Sequence, residues 1–295
     1  MKIIECVPNI SEGRDRKKIE SIVAMLSGVE GVKLLDVCID VDHNRTVLTF
    51  IGRPEDVERG AAAVCARALD LIDMRKHRGV HPRIGAVDVV PFVPLRGATM
   101  KHAVDVAHRF GRAFGEKNRI PVYFYGEAAL DPRRRELPDV RKGEYEALRT
   151  HFEDPLWIPD AGPAFFNPRG GATAVGAREP LIAFNINLAT DDLHVAKEIA
   201  CSIRQSGGGL QYVRAIGVPL QSRNIVQVAM NLTNYRVTPL KKVFDTVKNK
   251  ASQYDVSILE SELIGLIPEE ALEGVSAEYL QLSKFCAECI IETHL

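Results

Sequence analysis

Apolar and polar positions alternate along this chain in a pattern that divides it into strands and helices. Residues 2–8 form a short apolar run that predicts a first strand. Ile19, Ile22, Val23 and Leu26 fall at helical spacing and predict a helix from about Asp15 to Leu26. Strands are expected at 32–39 and 44–52. Pro54 suits the first turn of a helix that continues through Ala61, Ala62, Ala63 and Val64 to Ile72. A strand at 86–93, a helix from about Thr99 to Lys117 and a strand at 121–125 follow. Residues 127–179 are irregular and rich in proline, glycine and charge, with a short helix expected near Lys142 to Arg149. A connection of that length in a compact domain is usually functional or a domain junction.

The order then recurs. A strand at 181–188 precedes a helix at about 191–206, strands at 212–218 and 224–232, a helix from about Pro239 to Tyr254 and a strand near 256–260. A last helix is expected near 277–292. Two strand-helix-strand-strand-helix-strand units predict an α/β (α+β) chain of two split βαβ, ferredoxin-like sandwiches. Their sheets are expected to be mixed or antiparallel, with helices packed on one face. The division is drawn at 1–178 and 179–295. The repeat is one of element order, not of residue identity.

Charge narrows the function. The chain has 38 Lys and Arg against 39 Asp and Glu, a net charge of −1. With no basic excess and no cluster of five cations, nucleic acid is not an expected partner. Arg133, Arg134 and Arg135 read as a solvated helix start. No segment reaches the roughly eighteen apolar residues that would span a bilayer, and the first residues lack a signal-peptide profile. A cytoplasmic protein with no membrane association is expected. Six scattered cysteines read as reduced thiols. Cys286 and Cys289, in an apolar context expected to be helical, read as buried; no second pair completes a zinc site, and no metal is expected.

The segment from His77 to Gly85 concentrates the chemistry. It carries two imidazoles and two arginines, Arg78 and Arg83, on a loop punctuated by Gly79, Pro82 and Gly85, just before an apolar strand. An imidazole there can exchange a proton near neutral pH, and the arginines can grip a carboxylate in two-pronged fashion. His81, next to Pro82 and Arg83 at the mouth of the strand, stands out from the other histidines. Catalysis and a plain loop-bracing role both fit its position. His77 reads as structural, while His43, His102, His108, His151 and His194 lie in exposed or helical contexts. Asp88, the one acid in its apolar strand, either orients an imidazole or an arginine or faces solvent. Arg45 can reach an anion or pair with Asp40 or Asp42. Residues 162–171 combine aromatics, an arginine and an open glycine turn, a stretch able to wrap a flat ring. Phosphate-loop, Gly-x-Ser-x-Gly and His-Glu-x-x-His patterns do not occur.

Several ordered segments resemble the glutamate formimidoyltransferase family. They are Glu5-Cys-Val-Pro-Asn-Ile-Ser-Glu-Gly13, Asn44-Arg-Thr-Val47, His81-Pro-Arg-Ile-Gly-Ala86, Tyr125-Gly-Glu127, Gly143-Glu-Tyr-Glu-Ala-Leu148 and Leu181-Ile-Ala-Phe-Asn-Ile-Asn-Leu188. The resemblance extends over essentially the whole chain. It implies transfer of a formimino group from N-formimino-L-glutamate to N5 of tetrahydrofolate in histidine degradation. Tetrahydrofolate is then a co-substrate and no metal is needed. Formyl transfer between 5-formyltetrahydrofolate and glutamate on the same site is the alternative. The resemblance further implies a homodimer, His81 as general acid/base, and a folate-binding segment made of Gly162, Pro163, Ala164, Phe165, Phe166, Asn167, Pro168, Arg169, Gly170 and Gly171. Arg45, Arg83 and Arg169 suit the substrates' carboxylates. In animals the activity is fused to a cyclodeaminase, so a separate cyclodeaminase chain is a possible partner.

Overall fold

Two compact units, Met1–Arg178 and Glu179–Leu295, make up the computed structural model, which describes residues 1–282 and 284–295. In chain order the first unit holds β1 (Ile4–Cys6), β2 (Asn9–Ile10), α1 (Arg16–Val23), β3 (Val32–Asp40), β4 (Arg45–Gly52), α2 (Pro54–Leu71), β5 (Val87–Pro94), α3 (Met100–Asn118), β6 (Val122–Gly126), α4 (Leu137–Val140), α5 (Glu144–His151) and β7 (Thr173–Ala177). The second holds β8 (Ile182–Leu188), α6 (Leu193–Ile203), β9 (Val213–Leu220), β10 (Ile225–Leu232), α7 (Leu240–Ser252) and β11 (Ile258–Ile264).

Pro8, which has no N–H to give to a ladder, cuts the first apolar run into β1 and β2. Both pieces lie antiparallel between β4 and β5. β3 flanks β4, giving the order β3, β4, β1 with β2, then β5. β11, β8, β10 and β9 form the second sheet in the matching sequence, fourth-first-third-second, with every pairing antiparallel. This is the split βαβ arrangement expected from element order. The first sheet continues past β5 through β7 to β6, and both added pairings are parallel.

Strand alternation sends one set of side chains to each face. In the first unit Ile4, Cys6, Leu48, Phe50, Phe92 and Phe124 pack against Val57, Val64, Phe110 and Phe114 of α2 and α3. Glu5, between Ile4 and Cys6, therefore faces the other way. So do Tyr123 and Tyr125, which join Val89 and Ala174 under Val140 of α4 and Leu148 of α5. In the second unit Phe184, Ile186, Val226 and Val228 pack on Val195, Ile199, Phe244 and Val247. Its opposite face is polar: Gln227 Nε2 donates to Asn187 Oδ1 at 2.8 Å, and Asn187 Nδ2 to Glu262 Oε1 at 3.1 Å.

Four expectations need correction. The stretch at 127–179 contains β7, a run of small residues too short to show a period. The expected helix at 277–292 is absent; apart from Ser283, which lies outside the described residues, the segment is turns and short 3₁₀ pieces. Tertiary pairing overrides the helical spacing there. Ser261 N–H donates to Gln281 O, Ile267 N–H to Cys289 O and Ile291 N–H to Ile267 O, and Gln281 takes a left-handed φ of 54°. Cys286 is accordingly exposed and Cys289 half-buried, with their sulfurs 3.4 Å apart, not buried in a helix. Arg134 is no solvated helix start either: it is buried and pairs with Asp160 at 2.8 Å. Among the described residues no helix is long and apolar enough to cross a membrane, and no group of three His, Cys, Asp or Glu is arranged to hold a metal.

Candidate active site

Asn44 stitches together the loops that carry the chemistry. It occupies the left-handed region at the β3–β4 turn, with φ 50°, a conformation Asn tolerates better than most residues. Its Oδ1 accepts from Gly13 N–H at 2.9 Å and its Nδ2 donates to Arg78 O at 2.9 Å. Its carbonyl lies 3.0 Å from His77 Nε2. Ser11 extends the seam, donating its hydroxyl to Gly85 O at 2.7 Å and its N–H to Ala86 O at 2.9 Å. Segments far apart in sequence, around residues 11–13, 43–46 and 77–86, therefore meet.

His81 sits in this seam with part of its surface exposed. Its Nδ1 is 2.8 Å from Pro82 O, an oxygen that only accepts, so Nδ1 carries the proton. Its Nε2 is 2.6 Å from Arg45 Nη1, a group that only donates, so Nε2 presents a lone pair. The ring is thus a neutral imidazole of one tautomer. Burial holds its pKa well below the ordinary imidazole value, and the charges of Arg45 and Arg141, then His43, push the same way. His43 packs edge-on against it with ring centroids 5.5 Å apart. Contrary to its expected exposure, His43 is buried, its Nδ1 2.7 Å from Asp40 Oδ2.

Asp88 is 1% exposed, which excludes the solvent-facing reading. Its Oδ1 accepts from Ile84 N–H at 2.9 Å, and its carboxylate is ion-paired with Arg141 at the end of α4. It orients an arginine and holds the His81 loop. Arg83 is placed differently from Arg45. Its guanidinium is buried and donates to Glu144 at 2.8 Å and to Glu146 at 2.6 and 2.8 Å, tying the loop to α5. With its donors so occupied, it braces the His81 loop against α5.

Residues 162–171 run alongside. Asn167 Oδ1 accepts from the N–H groups of Arg169 and Gly170 and closes a turn. Ala86 N–H donates to Gly170 O at 2.8 Å and Ala172 N–H to Ile84 O at 3.0 Å, so the turn is laced to the His81 loop. Phe165 is 46% exposed with the Arg119 guanidinium 5.7 Å from its ring centre. Phe166 lies between Tyr145 and Arg149. Arg169 bonds the carbonyl of Asp70 near the end of α2. Of the expected residues, His81 and Arg45 touch, and Gly170 and Gly171 join the same loop. Arg141 and His43, which act on His81, are not marked by the sequence pattern: neither lies in a periodic element, and only the basic character of the 133–142 stretch hints at the former.

Comparison with known proteins matches two consecutive family descriptions. Residues 3–178 fit the formiminotransferase domain, N-terminal subdomain, and residues 183–292 fit the formiminotransferase domain. The chain belongs to the formiminotransferase family. A glutamate formimidoyltransferase of Streptococcus pyogenes is 42% identical over 295 residues, covering 100% of this chain and 99% of that protein. One from Thermoplasma acidophilum is 44% identical, covering 99% and 97%. The formimidoyltransferase-cyclodeaminase of Rattus norvegicus is 44% identical across 96% of this chain, which spans 53% of that longer protein. This formiminotransferase-family chain thus matches the two glutamate formimidoyltransferases over nearly their whole length.

Glu5, in the first segment of the family resemblance, is buried on the sheet face away from α2 and α3. Burial pushes its pKa up from 4.5 to about 7, with Arg178 pulling the other way. Between those values the folded protein keeps a proton that the unfolded chain has released. Folding stability therefore falls as pH rises through this interval, by up to roughly 3 kcal/mol. Glu5→Gln, uncharged throughout, is expected to gain stability over the parent at pH 8 but not at pH 4. Denaturant titrations at the two pH values check this; equal differences at both would refute it.

Proposed function

We propose that this protein moves a formimino group from N-formimino-L-glutamate to N5 of tetrahydrofolate, with His81 as the proton carrier. The observation behind this reading is the neutral, Nδ1-protonated imidazole with its Nε2 lone pair turned to Arg45. As N5 bonds to the formimino carbon it must lose a proton, and the departing glutamate nitrogen must gain one. A neutral imidazole can take the first and return it to the second. Proton transfer of this kind is commonly worth about 10²–10⁴-fold, so holding both substrates in place has to supply much of the remaining acceleration.

The segment 162–171 suits a folate ring: Phe165 offers an exposed aromatic face, and the turn at Asn167 is fastened to the His81 loop. Arg45 is the expected cation nearest the imidazole. The protein acts, in this reading, in histidine degradation in the cytoplasm, as a homodimer of chains that each carry both formiminotransferase subdomains, with a separate cyclodeaminase as a candidate partner. Assays run side by side with N-formiminoglutamate and N-formylglutamate test the donor. Faster turnover of the formimino compound is expected; turnover of the formyl compound alone would move the assignment to formyl transfer.

A further inference from the structure

We propose that Arg45 and Arg141 form a two-guanidinium seat for a carboxylate of the amino-acid substrate, and that filling this seat draws Arg45 off His81 Nε2 and frees the base. The inference rests on the reading of His81 as proton carrier. It starts from a difficulty in the geometry. The lone pair that must accept a proton is already bonded to Arg45 Nη1 at 2.6 Å. A guanidinium stays charged at any ordinary pH and cannot pass a proton along in its place. Something has to move Arg45 before the imidazole can work.

The surroundings of Arg45 favour an incoming anion. Arg45 is half-buried with its Nε out of solvent, yet the near acceptor is a neutral nitrogen, and among the described residues that Nε has no acceptor in the chain. The two carboxylates close enough to act on it electrostatically are both engaged elsewhere, Asp40 with His43 and Asp88 with Arg141. Arg141 adds a second positive charge that acts on both Arg45 and His81. Asp88 fixes Arg141 in place, since its other oxygen is bonded to the Ile84 N–H. With Asp40 paired to His43 and Asp88 to Arg141, two guanidiniums thus stand beside an uncharged ring. A substrate carboxylate bound between them gives Arg45 a two-pronged, charge-assisted partner in exchange for a nitrogen lone pair. The base is then released only when the amino-acid donor is present.

The test is Arg141→Gln in the full chain, with KM measured separately for N-formiminoglutamate and for tetrahydrofolate. Loss of one hydrogen bond to a charged group raises KM for the amino acid roughly 10- to 100-fold. KM for tetrahydrofolate should stay nearly constant, and Arg141→Lys should recover part of the loss. An unchanged KM for the amino acid, or a rise confined to the glutamyl-bearing folate and absent with a pterin lacking that tail, overturns the seat. Should Arg141→Gln leave Asp88 too poorly paired to fold, the double variant Asp88→Asn/Arg141→Gln gives the same readout. Glutarate, a dicarboxylate without the amine, supplies an arm independent of turnover. Its binding should shift the His81 Nε2 signal in ¹⁵N NMR of the parent, and calorimetry should detect it in His81→Ala but not in Arg141→Gln. Normal turnover by His81→Ala would remove the proton-carrier reading while leaving glutarate binding intact, so the two failures look different.

Discussion

Replacing His81 with alanine lowers turnover by roughly 10²- to 10⁴-fold and leaves tetrahydrofolate binding nearly unchanged. The size follows from the step that is lost. With no imidazole, the proton leaving N5 and the proton reaching the departing nitrogen must travel by water, while the ring-binding segment at 162–171 remains. That segment is held by Asn167, by Gly170 and by Ala172 bonded to Ile84, none of which uses the imidazole. The dependence on pH adds a second signature. Burial, followed by the charges of Arg45 and Arg141, keeps the His81 pKa well below the ordinary value. The base is therefore unprotonated over the range where a free imidazole titrates. In the parent, kcat/KM should hold steady as pH falls through 6.5 and decline only further into acid; in His81→Ala this decline should be missing. Steady-state rates across pH, with folate binding followed by fluorescence, check both parts. A variant that turns over normally would end the assignment.

Gly171→Ala is expected to cost about 2–5 kcal/mol of stability, through two separate effects. Gly171 has φ +72°, a backbone conformation that costs an L-residue about 1–2 kcal/mol. An added Cβ would also lie 2.2 Å from Ile84 O and 2.7 Å from Gly85 Cα, far inside contact distance. Relieving that overlap by backbone movement costs about 1–3 kcal/mol more. For a unit of this size the melting temperature should drop by roughly 5–15 °C. Because the overlap lies between the ring-binding turn and the His81 loop, kcat/KM should fall along with stability. A melting temperature within about 2 °C of the parent would show that the two loops are not in the close contact described.

Much of this architecture was readable from spacing. The order of the four core strands in each unit follows from helical and alternating periods, and Pro54 marked the start of α2. His81 was singled out by its loop, its proline and its arginines. What escaped has common physical causes. β7 is five residues of Thr, Ala, Val and Gly, whose strand character comes from neighbours on both sides. The helical spacing at 277–292 was real, but hydrogen bonds to Ser261 and Ile267 outweighed it. A guanidinium in sequence carries no sign of its partners, and those of Arg83, Glu144 and Glu146, lie some sixty residues away. For the same reason the sequence leaves Asp88 ambiguous, and its role comes from Arg141 and the Ile84 amide beside it. Local pattern gives the element, and distant partners decide what a charge does.

The two added pairings in the first sheet, β5 with β7 and β7 with β6, run in the same direction. Strands that run alike begin at the same end of a sheet. The chain just before β5 and the chain just before β7 are thereby delivered side by side, and these are the residues around His81 and the turn at Asn167. Had β7 entered the opposite way, its lead-in would lie a full strand length from the imidazole. The neighbourhood of proton carrier and ring-binding turn is thus written into strand direction, and the intervening stretch adds Arg141, Glu144 and Glu146 as braces on the loop so delivered.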